Sequence, residues 1–211
     1  MSSRIFTALF LISIILTILY LQIAWLFTSL IFFICILACY EWIKNKFNKT
    51  FFGFLLIFNF GFWSVFWILF KKPYLDDDFV YLVYGSIIFN TALFDTFAFF
   101  VGSKFGETYI VKKISPNKTL EGLIGGLLAS LFFGVIVFHN AQLPYVFAIY
   151  FVLGGFFAFM GDLLISYFKR QSGVKDTGTI LPGHGGILDR IDSHLLATPS
   201  LLLIIIAIYS L

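Results

Sequence analysis

Long, unbroken apolar runs limit what this chain can fold into more than any other feature. A run of about 18 or more apolar residues with few charges is long enough to cross a bilayer as a helix. Such runs occupy 51–70, 79–101, 119–138, 144–168 and 195–211, and a longer one fills 5–43. The longest exceeds one span and is expected to fold as two, breaking near Tyr20-Leu21-Gln22. The expectation is an all-α, polytopic integral membrane protein with about seven transmembrane helices. Composition agrees: 60% of the 211 residues are hydrophobic and 12% charged, against about half and about a quarter in soluble domains.

The first run carries Arg4 but no small-residue cleavage pattern, so it reads as a retained span rather than a signal peptide. Seven spans would send 12 of the 14 Lys and Arg to one side and only Lys71 and Lys72 to the other. The positive-inside rule assigns the richer side to the cytoplasm. No organelle-targeting segment precedes the first span, so the expected location is the plasma (inner) membrane of a prokaryote. A basic face there attracts anionic headgroups and nucleotides. Nucleic acid is not an expected partner, because the aromatics lie in the apolar runs and are not interleaved with cations. Cys35 and Cys39, one turn apart with no other cysteine, read as small apolar helix residues.

Charge is concentrated in one place. Residues 161–192 hold eight of the chain's 25 charges: Asp162, Lys169, Arg170, Lys175, Asp176, Asp189, Arg190 and Asp192. The division expected is an N-terminal scaffold over 1–78, with residues 1–70 carrying no motif, and a catalytic membrane domain over 79–211. On a helix, Asp162, Ser166 and Lys169 share one face, with the carboxylate about two turns inside the Lys169-Arg170 pair. Asp189 and Asp192, three residues apart, would point together if 187–194 opens the last helix. Carboxylates from different helices beside cations suit a hard divalent metal together with a phosphate, since magnesium is usually held by one or two carboxylates plus substrate oxygens. Pro182-Gly183-His184-Gly185-Gly186 offers backbone N–H groups that can approach an anion closely.

Two further blocks add polar groups. Asp95 lies inside an otherwise uncharged span, where a carboxylate costs at least about 2.5 kcal/mol to insert and normally faces a cavity or a partner. It precedes the loop Gly102-Ser103-Lys104-Phe105-Gly106. In Ser115 to Glu121, Asn117 or Thr119 can cap the next helix and Lys118 stands at its N-terminus, where free N–H groups favour anions. Gly122 and Gly126 form a GxxxG, expected to pack closely on a neighbouring helix. His139 and His194 are expected to be structural.

Taken together, three segments resemble the phosphatidate cytidylyltransferase (CDP-diacylglycerol synthase) family. Ser166 to Asp192 is similar to its signature S-x-x-K-R-x-x-x-x-K-D-x-G-x-x-L-P-x-H-G-G-x-x-D-R-x-D, and DTFAFFVGSKFGE at 95–107 and ISPNKTLEGLIGG at 114–126 resemble two further family blocks. The resemblance covers roughly 90–195. Ile165 stands where the family commonly has Glu, Leu120 where it has Trp and Phe99 where it has Tyr, and the region before these blocks is shorter than usual.

The resemblance implies transfer of CMP from CTP to phosphatidate, giving CDP-diacylglycerol and pyrophosphate, with Mg2+ and room for a second, monovalent or divalent cation. It implies that Asp162 and Asp189 hold the metal, with Asp176 and Asp192 as further ligands or supports. Lys169, Arg170, Lys175 and Arg190 would bind the phosphates, helped by Lys118. His184, Gly185 and Gly186 would line the nucleotide pocket, with Asp95, Lys104, Ser115, Thr119 and Ser166 also on the substrate side. A homodimer through the apolar N-terminal helices is the expected assembly. Three other readings stand beside this one. They are a CTP-dependent lipid kinase or CDP-archaeol-type synthase, an ion or magnesium transporter using Asp95 and Asp162, and a membrane scaffold without activity.

Overall fold

In a computed structural model, residues 2–70, 76–181 and 185–210 are described, with side chains of 6–70, 76–181 and 185–207. Among them the chain is helical without β-strands: α1 (Ser2–Leu21), α2 (Ala24–Lys44), α3 (Thr50–Leu69), α4 (Asp77–Phe105), α5 (Leu120–Asn140), α6 (Ile149–Gln171), α7 (Leu188–Ile191) and α8 (His194–Ser210). A single 3-10 turn, Tyr145–Ala148, leads into α6. The long first run breaks as expected. Gln22 takes a positive φ of 54° and α2 restarts at Ala24.

Five helices are long and apolar enough to span a membrane: α2, α3, α4, α5 and the segment Tyr145–Gln171. Phe6–Leu21 and His194–Ala207 are apolar but shorter, so among the described residues five helices, not seven, have the length and composition of a span. Large apolar side chains such as Phe6, Phe32, Phe58 and Phe132 are left exposed. Water would penalise such a surface, whereas lipid matches it. The chain is an integral membrane protein.

The helices fall into two compact units, each discontinuous in sequence: residues 1–85 with 168–192, and 86–167 with 193–211. In the first, α2 packs along α3. Trp42 on α2 is fully buried against Phe47 and Phe168, with ring centroids 5.2 and 5.0 Å away, and lies over Gly53 of α3. Three polar groups in this apolar interior are joined by hydrogen bonds: the Tyr84 hydroxyl donates to Ser64 (2.9 Å), Ser64 to the Phe60 carbonyl (2.8 Å) and the Trp67 indole to the Val80 carbonyl (2.9 Å).

The second unit is built on close helix approach. Its core holds Phe94, Ala158, Phe159 and Ala197. The GxxxG of α5 packs as expected, since a methyl group on Gly122 would sit 2.6 Å from the Ala98 carbonyl and one on Gly126 2.6 Å from the Phe94 ring. Gly154 and Gly155 of α6 likewise give way to Leu201 and Phe94. In hydrocarbon, where apolar contact brings no gain over lipid, backbone proximity of this kind is a main source of helix association. Gly126→Val should therefore overpack the α4–α5 contact and cost about 1–3 kcal/mol, read as a lower melting temperature in detergent; an unchanged melting temperature would contradict this packing.

Candidate functional site

The charged residues collect in two clusters, one within each unit. In the second unit a pocket of about 220 Å³ opens between α4, the loop before α5, and α6. Its polar wall is Asp95, Ser115, Asn117, Lys118, Thr119 and Asp162; Phe94, Phe99 and Phe159 supply apolar surface.

Local sequence explains how Lys118 is aimed. The Thr119 hydroxyl caps α5 by accepting from the Gly122 amide at 3.1 Å. The Glu121 carboxylate, in the first turn, accepts from the amides of Glu107 and Thr108. The loop closes on itself through Ile110 N–H to the Lys118 carbonyl (3.0 Å) and Leu120 N–H to the Thr108 carbonyl (2.8 Å). With its backbone so held, Lys118 places Nζ 2.6 Å from Asp162 Oδ2 and 4.7 Å from the centroid of the Phe159 ring. Asp162 Oδ1 accepts from Ser166 at 3.1 Å, one turn along α6. Asp95 accepts from Ser193 at 3.2 Å. Side chains of Lys118 and Asp162 remain 17% and 29% exposed, so the pair is partly open to the pocket it lines.

In the first unit, Lys169 Nζ lies 2.9 Å from Asp189 Oδ1, both nearly buried. Asp189 Oδ2 accepts from the amides of Thr177 (2.7 Å) and Gly186 (3.0 Å). Burial by itself would raise the Asp189 carboxyl. The hydrogen bond from Lys169, the Gly186 amide, the Lys169 charge and the Thr177 amide together outweigh it and hold the group below the usual carboxylate range. Gly185, with φ of +80°, takes a conformation that side chains disfavour, and a methyl group there would lie 2.7 Å from Asp189. Arg170, Lys175, Asp176 and Arg190 are exposed around this cluster, and Arg170 donates to the Val174 carbonyl at 3.2 Å.

Several expectations are refined by this geometry. The last helix does not begin at 187. A four-residue helix carries Asp189, and a turn at Asp192-Ser193 separates it from α8, so Asp189 and Asp192 do not share one continuous helix. Lys104 lies over the Phe105 ring, 5.3 Å from its centroid, and does not line the pocket. Pro182, Gly183 and His184 fall outside the described residues. His139 pairs with Tyr145 at 2.8 Å and His194 with Thr198 at 3.2 Å. Ile165 is fully buried, so the carboxylate commonly found there has an apolar replacement.

A motif-free 1–70 overlooks Glu41. This side chain, fully buried near the end of α2, accepts from the amides of Ile187 (2.9 Å) and Leu188 (2.8 Å) and from the Thr177 hydroxyl (2.8 Å). One signal in the sequence points to it: Glu41 is the sole acidic residue before Asp76.

Oxygen donors of this kind suit magnesium. No cluster of three or more His, Cys, Asp or Glu able to hold a metal occurs among the described residues, but magnesium commonly needs only one or two carboxylates beside substrate phosphates. Asp95 and Asp162, facing one pocket with the hydroxyls of Ser115 and Thr119, meet that requirement.

A membrane-embedded helical chain with lysines paired to carboxylates is the class of protein these features define. Residues 44–208 match the cytidylyltransferase family, and the chain belongs to it. It is 43% identical over 124 residues to the phosphatidate cytidylyltransferase of Bacillus subtilis (strain 168), covering 57% of this chain and 45% of that protein. The proteins of the same name from Staphylococcus haemolyticus (strain JCSC1435) and Staphylococcus aureus (strain COL) are 41% and 42% identical over 130 residues, each match covering 60% of this chain and 49% of the relative. The aligned region spans about half the length of these relatives.

The depressed Asp189 carboxyl carries a pH signature. A carboxylate whose folded pKa lies below its unfolded value of about 3.9 adds stability above that value and loses it as pH falls through the folded pKa. The stability gap between the native chain and Asp189→Asn should thus be steady from about pH 7 to pH 5 and shrink below about pH 4. Thermal unfolding across that range checks it, and a gap that widens on acidification would contradict the ion pair.

Proposed function

We propose that the protein transfers CMP from CTP to phosphatidate, releasing pyrophosphate and forming CDP-diacylglycerol at the cytoplasmic surface of a bacterial-type plasma membrane. The observation that carries the reading is the Lys118–Asp162 pair, desolvated over an aromatic ring in a pocket shared with Asp95 and the hydroxyls of Ser115 and Thr119. Family membership over 44–208 and the names of the similar proteins support it.

The chemistry asks little of the protein in the way of bond-making groups. A phosphate monoester has a second pKa near 6, so about neutral pH its oxygen is already ionised and nucleophilic. No serine nucleophile or general base is required. The site must instead align two anions that repel one another and offset the charge that builds on the reacting phosphorus and the leaving pyrophosphate. Lys118 is the half-buried cation of the second unit for that task; within the first unit the buried Lys169 and the exposed Arg170, Lys175 and Arg190 are the cations assigned to phosphate. Asp162, beside Asp95 in the pocket, and Asp189, in the first unit, are each assigned to magnesium within their own cluster, with Asp176 and Asp192 supporting Asp189. When bound, magnesium supplies a Lewis acid that polarises phosphoryl oxygens. The apolar pocket wall of Phe94, Phe99 and Phe159 suits the glycerolipid end of a substrate held in the bilayer.

Purified protein in detergent should release pyrophosphate only when CTP, magnesium and phosphatidate are all present. Asp162→Asn and Lys118→Gln should each lower kcat by at least about 100-fold, the usual scale for losing one charge-stabilising group. CDP release with a lipid alcohol in place of phosphatidate would make the protein a lipid kinase, and near-normal turnover in Asp162→Asn would overturn its metal role.

A further inference from the structure

We infer that Glu41 is a positioning residue: its carboxylate, carried on α2, holds the Asp189 segment in its working shape. The chemistry-bearing charges all lie after residue 94 in the sequence, yet this buried group reaches across 136 to 147 residues to touch the segment directly. Oε1 accepts from the Ile187 amide, and Oε2 from the Leu188 amide and the Thr177 hydroxyl. These two amides open α7, where they have no intrahelical partner, and Glu41 satisfies both.

Thr177 joins Glu41 to Asp189. Its hydroxyl lies 2.8 Å from Glu41 Oε2 and 3.0 Å from Asp189 Oδ2. A hydroxyl has one proton and can donate to only one of them. Asp189 Oδ2 already receives the Thr177 and Gly186 amides, so the proton serves Glu41. The Asn45 side chain adds a second tie, donating both to the Glu41 carbonyl (2.7 Å) and to the Thr177 carbonyl (2.6 Å). Gly178 and Gly186 leave the carboxylate its room, since a methyl group on either would collide with Glu41. The two backbone donors that orient Asp189, the amides of Thr177 and Gly186, therefore belong to residues that Glu41 or its neighbour Asn45 holds or that are shaped around the Glu41 carboxylate.

The inference deepens the proposed function, because Asp189 is one of the carboxylates assigned to magnesium, but its first test does not depend on activity. Hydrogen–deuterium exchange of the full chain in detergent should show amides of 177–181 and 185–190 exchanging at least about tenfold faster in Glu41→Gln, with α3 and α5 protected as before. Glutamine keeps the shape but presents an N–H group where a second acceptor is needed. Thr177→Val should loosen the same segment more weakly, and Thr177→Ser should restore it; this pair decides the matter should Glu41→Gln fail to fold. Turnover per folded molecule should fall about 10–100-fold in Glu41→Gln, the range typical of groups that orient a metal ligand, and remain near normal in Thr177→Ser. Unchanged exchange at 177–190, or equal acceleration in every helix, would overturn the positioning role. A native chain without pyrophosphate release would count against the proposed reaction alone, leaving the exchange result to judge Glu41.

Discussion

A carboxylate surrounded by apolar side chains has to be matched by donors or cations, and the arrangement of this protein follows from that constraint. Glu41, Asp162 and Asp189 are each matched. Asp162 meets Lys118 and Ser166, Asp189 meets Lys169 with two amides, and Glu41 meets two amides and a hydroxyl. Removing one partner from such a group is costly, because the remaining charge stays buried without compensation. Gly186 and the start of the short helix α7 supply backbone donors to two of these groups, Asp189 and Glu41.

The two clusters are built by different means. Around Asp162 the partners are side chains, and the loop before α5 is stiffened by Thr119 and Glu121 so that Lys118 arrives in place. Around Asp189 the partners are largely backbone, and the glycines at 178, 185 and 186 are demanded by close approach of carboxylate oxygens. A single helix, α6, carries Asp162 and, seven residues on, Lys169.

Much of this was legible in the sequence. Helix positions follow from apolar run length, and the break at Gln22 and the Thr119 cap follow from local chemistry. Asp95 and Asp162 stand out because ionised groups in hydrocarbon need a reason, and Lys118 because it stands at a helix N-terminus, where free amides favour an anion. What escaped was long-range. Nothing near Glu41 announces that residues 177, 187 and 188 are its partners, and Thr177, one polar residue in a polar loop, carries no periodic signal. The separation of α7 from α8 was missed because Asp189-Arg190-Ile191-Asp192 reads as continuous helix until the turn at Asp192-Ser193 interrupts it.

Transfer of the nucleotide's own phosphorus to a lipid is the central claim, and the fate of labelled CTP tests it most directly. Given phosphatidate and magnesium, label at the α-phosphorus of CTP should enter the lipid fraction, while label at the γ-phosphorus should leave as pyrophosphate. Label from the γ position in the lipid, with the α position retained in soluble CDP, would contradict the account.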